Sequence, residues 1–199
     1  MDAELSKQPE VQDRRVRRTR ASLLSAAVRL TTERGTTEIS VTELAEAADV
    51  SRRALYEHFG DRDTLLIAAA AELVRHELLP RLPQDLDAGA TTLVLARHFA
   101  EHQAFYRPVV TGSCAHAAIR TMRSLFRPYN AASAQRLFGE LGARAADEVA
   151  EFLTGAMAMA LVDWLAEGEV PLEPDEFAER LLRIQSILTG AQPRPALPR

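Results

Sequence analysis

Between Gly35 and Asp61 the chain stops and restarts a helix repeatedly, and this punctuation constrains the fold more than any other feature. Gly35 is the residue that commonly follows a helix C-terminus, because it reaches the left-handed region at no steric cost. Ser40-Val-Thr-Glu43 is a capping box, in which the Ser40 hydroxyl accepts from the Glu43 amide while the Glu43 carboxylate reaches back. It predicts a short helix from Val41 to Ala48 that buries Leu44, Ala47 and Val41. Asp49 marks a turn, Ser51 caps the next short helix, Arg52 to Phe59, and Gly60-Asp61 ends it. Asp61 then caps a longer helix to Leu79. Upstream, from Arg20, Leu23, Ala27, Leu30 and Thr31 recur at helical steps.

Two short helices separated by a tight turn form a helix-turn-helix, whose second helix presents its N-terminal residues to the major groove while the first crosses the backbone. The exposed face of that second helix carries Arg52, Arg53, Tyr56 and, at its end, His58; Leu55 and Phe59 face the bundle. Arginine can fork onto guanine O6 and N7, whereas Tyr and His suit phosphate oxygens. Charge follows the same division. Residues 14–62 carry ten Arg and seven acids, a balance of +3, against a net −4 for the whole chain. Arg14, Arg15, Arg17, Arg18 and Arg20 lie in a run with no acid inside it, a candidate arm for phosphates or the minor groove.

The stretch TERGTTEISVTELAEAADVSRRALYEHFGDRDTLL resembles the DNA-binding domain of the TetR family of bacterial transcriptional repressors. The likeness rests on the Gly after the first helix, the Ser cap, Leu44-Ala45, Val50-Ser51 and above all Leu55-Tyr56-Glu57-His58-Phe59, and covers about residues 17–67. It implies that Val41 and Thr42 meet the phosphate backbone and that Ser51, Arg52 and Arg53 approach the DNA. Ala54 would touch a thymine methyl, and Tyr56, His58 and Arg62 would grip phosphates. Two positions depart from the family pattern. Asp49 stands where a turn Gly is usual, and Thr31 where the first helix commonly has an aromatic.

The remainder reads as helix too, at about 91–106, 113–127, 129–140, 145–167 and 173–189, with Pro80 to Ala90 as a linker and breaks at Pro108, Pro128, Gly142 and Gly168 to Pro174. The fold expected is all-α: a tail over 1–13, a helix-turn-helix domain over 14–61, a larger helical domain over 62–190, and a disordered Pro-rich tail over 191–199. In the last two long helices, Val149, Phe152, Leu153, Ala156, Ala160 and Trp164 form one apolar stripe and Phe177, Leu181, Ile184 and Leu188 another. Met157, Leu161, Leu182 and Ile187 widen the apolar surface, so each helix needs a second partner besides its own core. The resemblance supplies one, the same helix pair of a second subunit in a homodimer. It also implies an effector cavity, for which His98, His102, Phe105, Tyr106, Cys114, Met122, Phe126, Tyr129, Met157 and Trp164 are candidates. Such a lining suits an apolar or aromatic small molecule.

His98 and His102 share a helix face and could hold a metal with His116 or Cys114, but no third ligand adjoins them in sequence, so no metal or other cofactor is expected. Glycine-rich phosphate loops, nucleophile elbows and metal quartets are missing, which argues against an enzyme. One cysteine cannot make an intrachain disulfide. The first 13 residues lack the apolar core of a signal peptide, and the longest apolar stretch, Phe152 to Leu165, is interrupted by Thr154 and Asp163 and short for a bilayer. A cytoplasmic protein with no membrane contact is expected. The function expected is a ligand-responsive regulator, a repressor that binds a palindromic operator as a homodimer and is released by an effector. An activator of the same family and a helical interaction module that does not read DNA are the alternatives.

Overall fold

The structure, a computed structural model, describes residues 7–83, 87–139 and 141–190, and among these there are helices and no strands. α1 (Lys7–Arg34), α2 (Val41–Ala47), α3 (Arg52–Phe59) and α4 (Arg62–Leu73) form the N-terminal bundle. α4 runs on through a π-helical turn, Val74–Leu78, and a 3-10 turn, Leu79–Arg81. α5 (Ala88–Glu101), α6 (Gln103–Thr111), α7 (Ala115–Phe138), α8 (Ala143–Glu167) and α9 (Pro174–Thr189) build the larger half.

The caps act as read. Glu43 N donates to Ser40 Oγ at 3.2 Å and Ser40 N to Glu43 Oε2 at 3.0 Å. Those two bonds, with the Arg34 guanidinium, hold the Glu43 carboxyl down at about 2. Asp61 Oδ1 accepts from Thr64 N at 2.6 Å, which lowers the Asp61 pKa in the same way. Asp49 takes φ 54°, the left-handed geometry for which Asp is among the better non-glycine residues.

Four boundaries differ from the sequence reading. α1 begins at Lys7, so residues 7–13 extend a helix instead of forming a tail; residues 1–6 and the tail expected over 191–199 lie outside the described residues. α5 starts at Ala88, inside the stretch expected as linker. The single helix expected over 91–106 is two, broken at His102 (φ −105°, ψ 21°), and Pro108 lies within α6. Conversely, 113–127 and 129–140 are one helix running through Pro128. Proline removes one helical hydrogen bond, and here α8 clamps both sides of the gap. Arg123 pairs with Glu151, Arg127 with Asp147 at 3.8 Å, and Asn130 Nδ2 donates to Thr154 Oγ1 at 2.8 Å.

One continuous core joins the two halves. It runs from Leu23, Leu30, Ile39, Leu44, Leu55 and Phe59 through Leu65, Leu66, Val74 and Leu78 to Phe99, Phe105, Tyr106, Val109 and Leu165. Within α2 the buried pair is Leu44 and Ala45, while Val41 and Ala47 are half-buried. α8 exceeds the 14-residue stretch read from the sequence: its 25 residues are long and apolar enough, by length and composition, to cross a membrane. Only 17% of its most apolar window is buried within the chain. Much of the remainder is half-buried, and Phe152 and Met159 are its exposed large apolar side chains.

Candidate DNA-recognition face and effector cavity

α3 is fixed from below and open above. Leu55 is fully buried and Phe59 nearly so, and the Arg20 guanidinium lies 4.7 Å over the Phe59 ring. Ser51 Oγ accepts from Ala54 N at 3.1 Å, which sets the start of the helix. On the outer side Arg52, Arg53 and Tyr56 are exposed, Tyr56 to 55%, a high value for a ring with no packing role there. Ala54 and His58 are half-buried, the His58 ring tilted on Phe59 at 6.3 Å. Thr42 is exposed and Val41 half-buried at the start of α2. The structure thus brings Thr42, Ser51, Arg52, Arg53 and Tyr56 to the surface of one helix pair. Arg53 Nε donates to Glu57 Oε1 at 2.7 Å, an exposed i,i+4 pair worth a few tenths of a kcal/mol and so easily exchanged for another acceptor.

Arg62 also has partners within the chain. Its Nε donates to Asp63 Oδ1 at 2.8 Å and its Nη2 to Ser113 Oγ at 3.1 Å, so it ties the start of α4 to the segment that follows α6. The same joint includes Gly112, which is packed so closely on Thr37 that a Cβ would overlap Thr37 Oγ1. At its other side α6 is tied to the end of α8. Arg107 Nε donates to Leu165 O at 2.7 Å and its Nη2 to Gly168 O at 2.6 Å. A guanidinium on terminal carbonyls is a favourable C-terminal cap.

α6 also forms a wall of a cavity of about 70 Å³ between α5, α7, α8 and α9. Tyr106, Met122, Phe126 and Met157, expected there, line it. His98, His102, Phe105, Cys114, Tyr129 and Trp164 do not. His98 and Phe105 are buried in the core beside it. The Cys114 thiol points to Val109 O at 3.8 Å, and burial pushes its pKa up, as for an inert structural cysteine. Trp164 stacks on Phe177, ring centroids 4.2 Å apart and planes 7° from parallel. Sequence reasoning missed Phe99, Val109, Leu161 and Leu165, together with the polar lining residues Arg123, Asn130 and Thr154. Their helical period was visible, but which face of α7 meets which face of α8 is a long-range matter.

Phe177 is also a correction to the expected dimer face: it is 3% exposed, covers the cavity and stacks on Trp164, so it belongs to the interior. Leu181 lines the cavity as well. Phe152 (69% exposed), Ile184 (45%) and Leu188 (53%) do face outward, with Met159 and Ile187 beside them in the sequence. Ala156 is exposed and Ala160 half-buried.

His98 and His102 do converge with a third donor, which is Glu77 instead of His116 or Cys114; the three donor atoms lie within 4.8 Å of one another. By donor type the set suits a divalent cation. Against it, His98 Nε2 is engaged by Tyr106 Oη at 2.9 Å, His102 Nε2 by Glu77 Oε2 at 2.8 Å, and the Arg81 charge is near enough to disfavour a further cation. Burial first, then His102, pushes the His98 pKa down to about 4. Burial pushes that of Tyr106 up.

Residues 23–69 match the family model described as bacterial regulatory proteins, tetR family. Over 70 residues the chain is 38% identical to the HTH-type transcriptional regulator BetI of Brucella anthropi, which is 35% of this chain and 34% of that protein, so the match spans about a third of the relative's length. Two solved structures share the fold at greater extent. The dihydroxyacetone kinase operon activator DhaS gives a TM-score of 0.60 at 14% identity, over 86% of this chain and 96% of that one. RolR, solved without ligand, gives 0.56 at 20% identity, over 89% and 100%. By sequence the helix-turn-helix region, residues 23–69, is of the tetR type, and over most of the chain the helical fold is the one these two solved structures share.

Proposed function

We propose that this chain is a cytoplasmic transcriptional repressor that binds a two-fold symmetric operator as a homodimer and leaves it when a small apolar molecule enters the cavity. The observation that carries the reading is α6. One side of it lines the cavity with Tyr106, Val109 and Val110, and its far end abuts Thr37 and Arg62 of the DNA-binding bundle. An effector that favours one placement of α6 therefore also favours one placement of α3, and the two sites are coupled by as much as its affinity for the two placements differs. α4 contributes too, since Ala70 lines the cavity, but the joint at Gly112 and Ser113 gives α6 the direct contact.

In a dimer the two recognition helices must sit about 34–36 Å apart to meet successive major grooves. The exposed apolar row of Phe152, Met159, Ile184, Ile187 and Leu188 supports pairing of α8 and α9 with a second copy. Binding of the full chain to the duplex upstream of its own gene, at two salt concentrations, tests the reading. Tight binding that weakens steeply with salt and is lost in an Arg52→Ala/Tyr56→Ala variant is expected; salt-independent binding, or binding that survives both substitutions, refutes it. Because a structural relative is named an operon activator, a reporter fused to the same duplex decides the sign: expression falls for a repressor and rises for an activator.

A further inference from the structure

Resting on the reading of the cavity as the effector site, we propose that its ligand is an apolar molecule bearing a single carboxylate, bound with that carboxylate against Arg123 and Asn130. Apart from Tyr106, whose hydroxyl is engaged by His98, the polar side chains of the lining are Arg123, Asn130 and Thr154, and all three stand on the facing helices α7 and α8. The cavity is thus apolar for most of its length and polar at one wall. Among the described residues Arg123 Nε is buried without a hydrogen-bond partner, although the guanidinium is paired through Nη2 with Glu151. Thr154 Oγ accepts from Asn130 Nδ2 at 2.8 Å and donates its own proton to Ala150 O at 2.6 Å, so its hydroxyl proton is engaged.

The wall therefore offers two donors, the Arg123 Nε–H and the second Nδ2–H of Asn130, beside one acceptor, Asn130 Oδ1. A carboxylate is acceptor-only and answers both. An ammonium has no acceptor to give the Arg123 Nε–H, and an apolar end would likewise leave it buried and unpaired, which is costly. A carboxylate brought into an apolar cavity needs just such a partner. The Arg123–Glu151 pair does not close the site, because both side chains are more than a third exposed and water screens their attraction.

The test uses two matched sets of probes, decanoic acid with decan-1-ol and decylamine, and 4-phenylbutyric acid with its alcohol and amine. Binding is followed by calorimetry and by fluorescence of Trp164, the chain's one tryptophan, which stacks on the lining residue Phe177. In at least one set the acid should bind about tenfold or more tighter than the alcohol, the margin of one charge-assisted hydrogen bond, and the amine weakest. Arg123→Met should bring the acid down to the alcohol's affinity and leave the alcohol within about twofold. Arg123→Lys should restore part of the preference, and Arg120→Met, at an exposed position of the same helix outside the lining, should change nothing. Circular dichroism melts confirm that each variant is folded. Equal affinities for acid and alcohol, no binding by either acid, or an acid preference that survives Arg123→Met overturns the inference. Duplex binding is measured on the same samples. If DNA binding holds while the acid preference fails, only this inference falls; if DNA binding fails while the preference holds, only the regulator reading falls.

Discussion

Protonating His98 should loosen the whole molecule, by an amount the structure sets. Its ring is fully buried, with Tyr106 Oη 2.9 Å from Nε2 and no partner for Nδ1 among the described residues. Burial keeps the Tyr106 hydroxyl protonated, so a neutral phenol and a neutral imidazole share this one hydrogen bond. An imidazolium there would lose its hydration and stand buried beside His102 and Arg81, with only Glu77 to attract it. The folded pKa, about 4, is below the ordinary 6.5, so the unfolded chain binds the proton first. The stability from a neutral His98 is therefore complete above the unfolded value and is lost as pH falls from 6.5 toward 4. At 1.36 kcal/mol per unit, the loss reaches about 2 kcal/mol by pH 5 and about 3 kcal/mol at pH 4. Glu43 and Asp61, whose pKa values are depressed, lose their contributions only below their own unfolded values of 4.5 and 3.8, leaving most of the His98 window clear. Urea unfolding followed by far-ultraviolet circular dichroism between about pH 7.5 and pH 5 measures the slope. His98→Gln keeps a polar partner for Tyr106 but cannot titrate. The wild type should lose about 2 kcal/mol more than this variant over that span; parallel losses in the two proteins would refute the reasoning.

Three further perturbations probe the joint, the outer face and the small core. Gly112→Ala forces a methyl onto Thr37 Oγ1 and the Pro108 carbonyl, an overpacking cost of about 1–3 kcal/mol seen in urea unfolding. Adding Thr37→Ala should recover part of it, the carbonyl clash persisting; no recovery would place the strain elsewhere. Phe152→Glu, on a residue 69% exposed, should leave the melting temperature of a monomer nearly unchanged but shift a dimer to monomer in light scattering after gel filtration, and an unaltered mass would move the interface off α8. Thr31 is fully buried with its hydroxyl unpartnered among the described residues. Thr31→Val keeps the shape without that penalty and should stabilise the chain by about 1 kcal/mol, so a destabilised variant would mean that the hydroxyl has a partner in solution.

What could be read from the sequence was local. Ser40, Ser51 and Asp61 each hold their own helix N-terminus through atoms at most three residues away, so the two short helices and their outward face of Arg52, Arg53 and Tyr56 follow from spacing alone. Local rules failed where distant side chains outvoted them. Pro128 should end a helix, yet bonds and ion pairs to α8 from Arg123, Arg127 and Asn130 hold α7 through it. The same register of α7 on α8 decides the cavity's chemistry. Arg123 and Asn130 look, in sequence, like solvated positions on an amphipathic helix, and His98 and His102 look like the polar anchors. Folding reverses the two pairs, because α5 turns its histidines toward Tyr106 and Glu77 while α7 turns Arg123 and Asn130 into the lining. The reversal changes the ligand expected: histidine anchors would suit neutral or metal-bound molecules, whereas the carboxylate proposed above answers an arginine whose buried Nε stands with Asn130 and Thr154 at the polar wall of an otherwise apolar cavity.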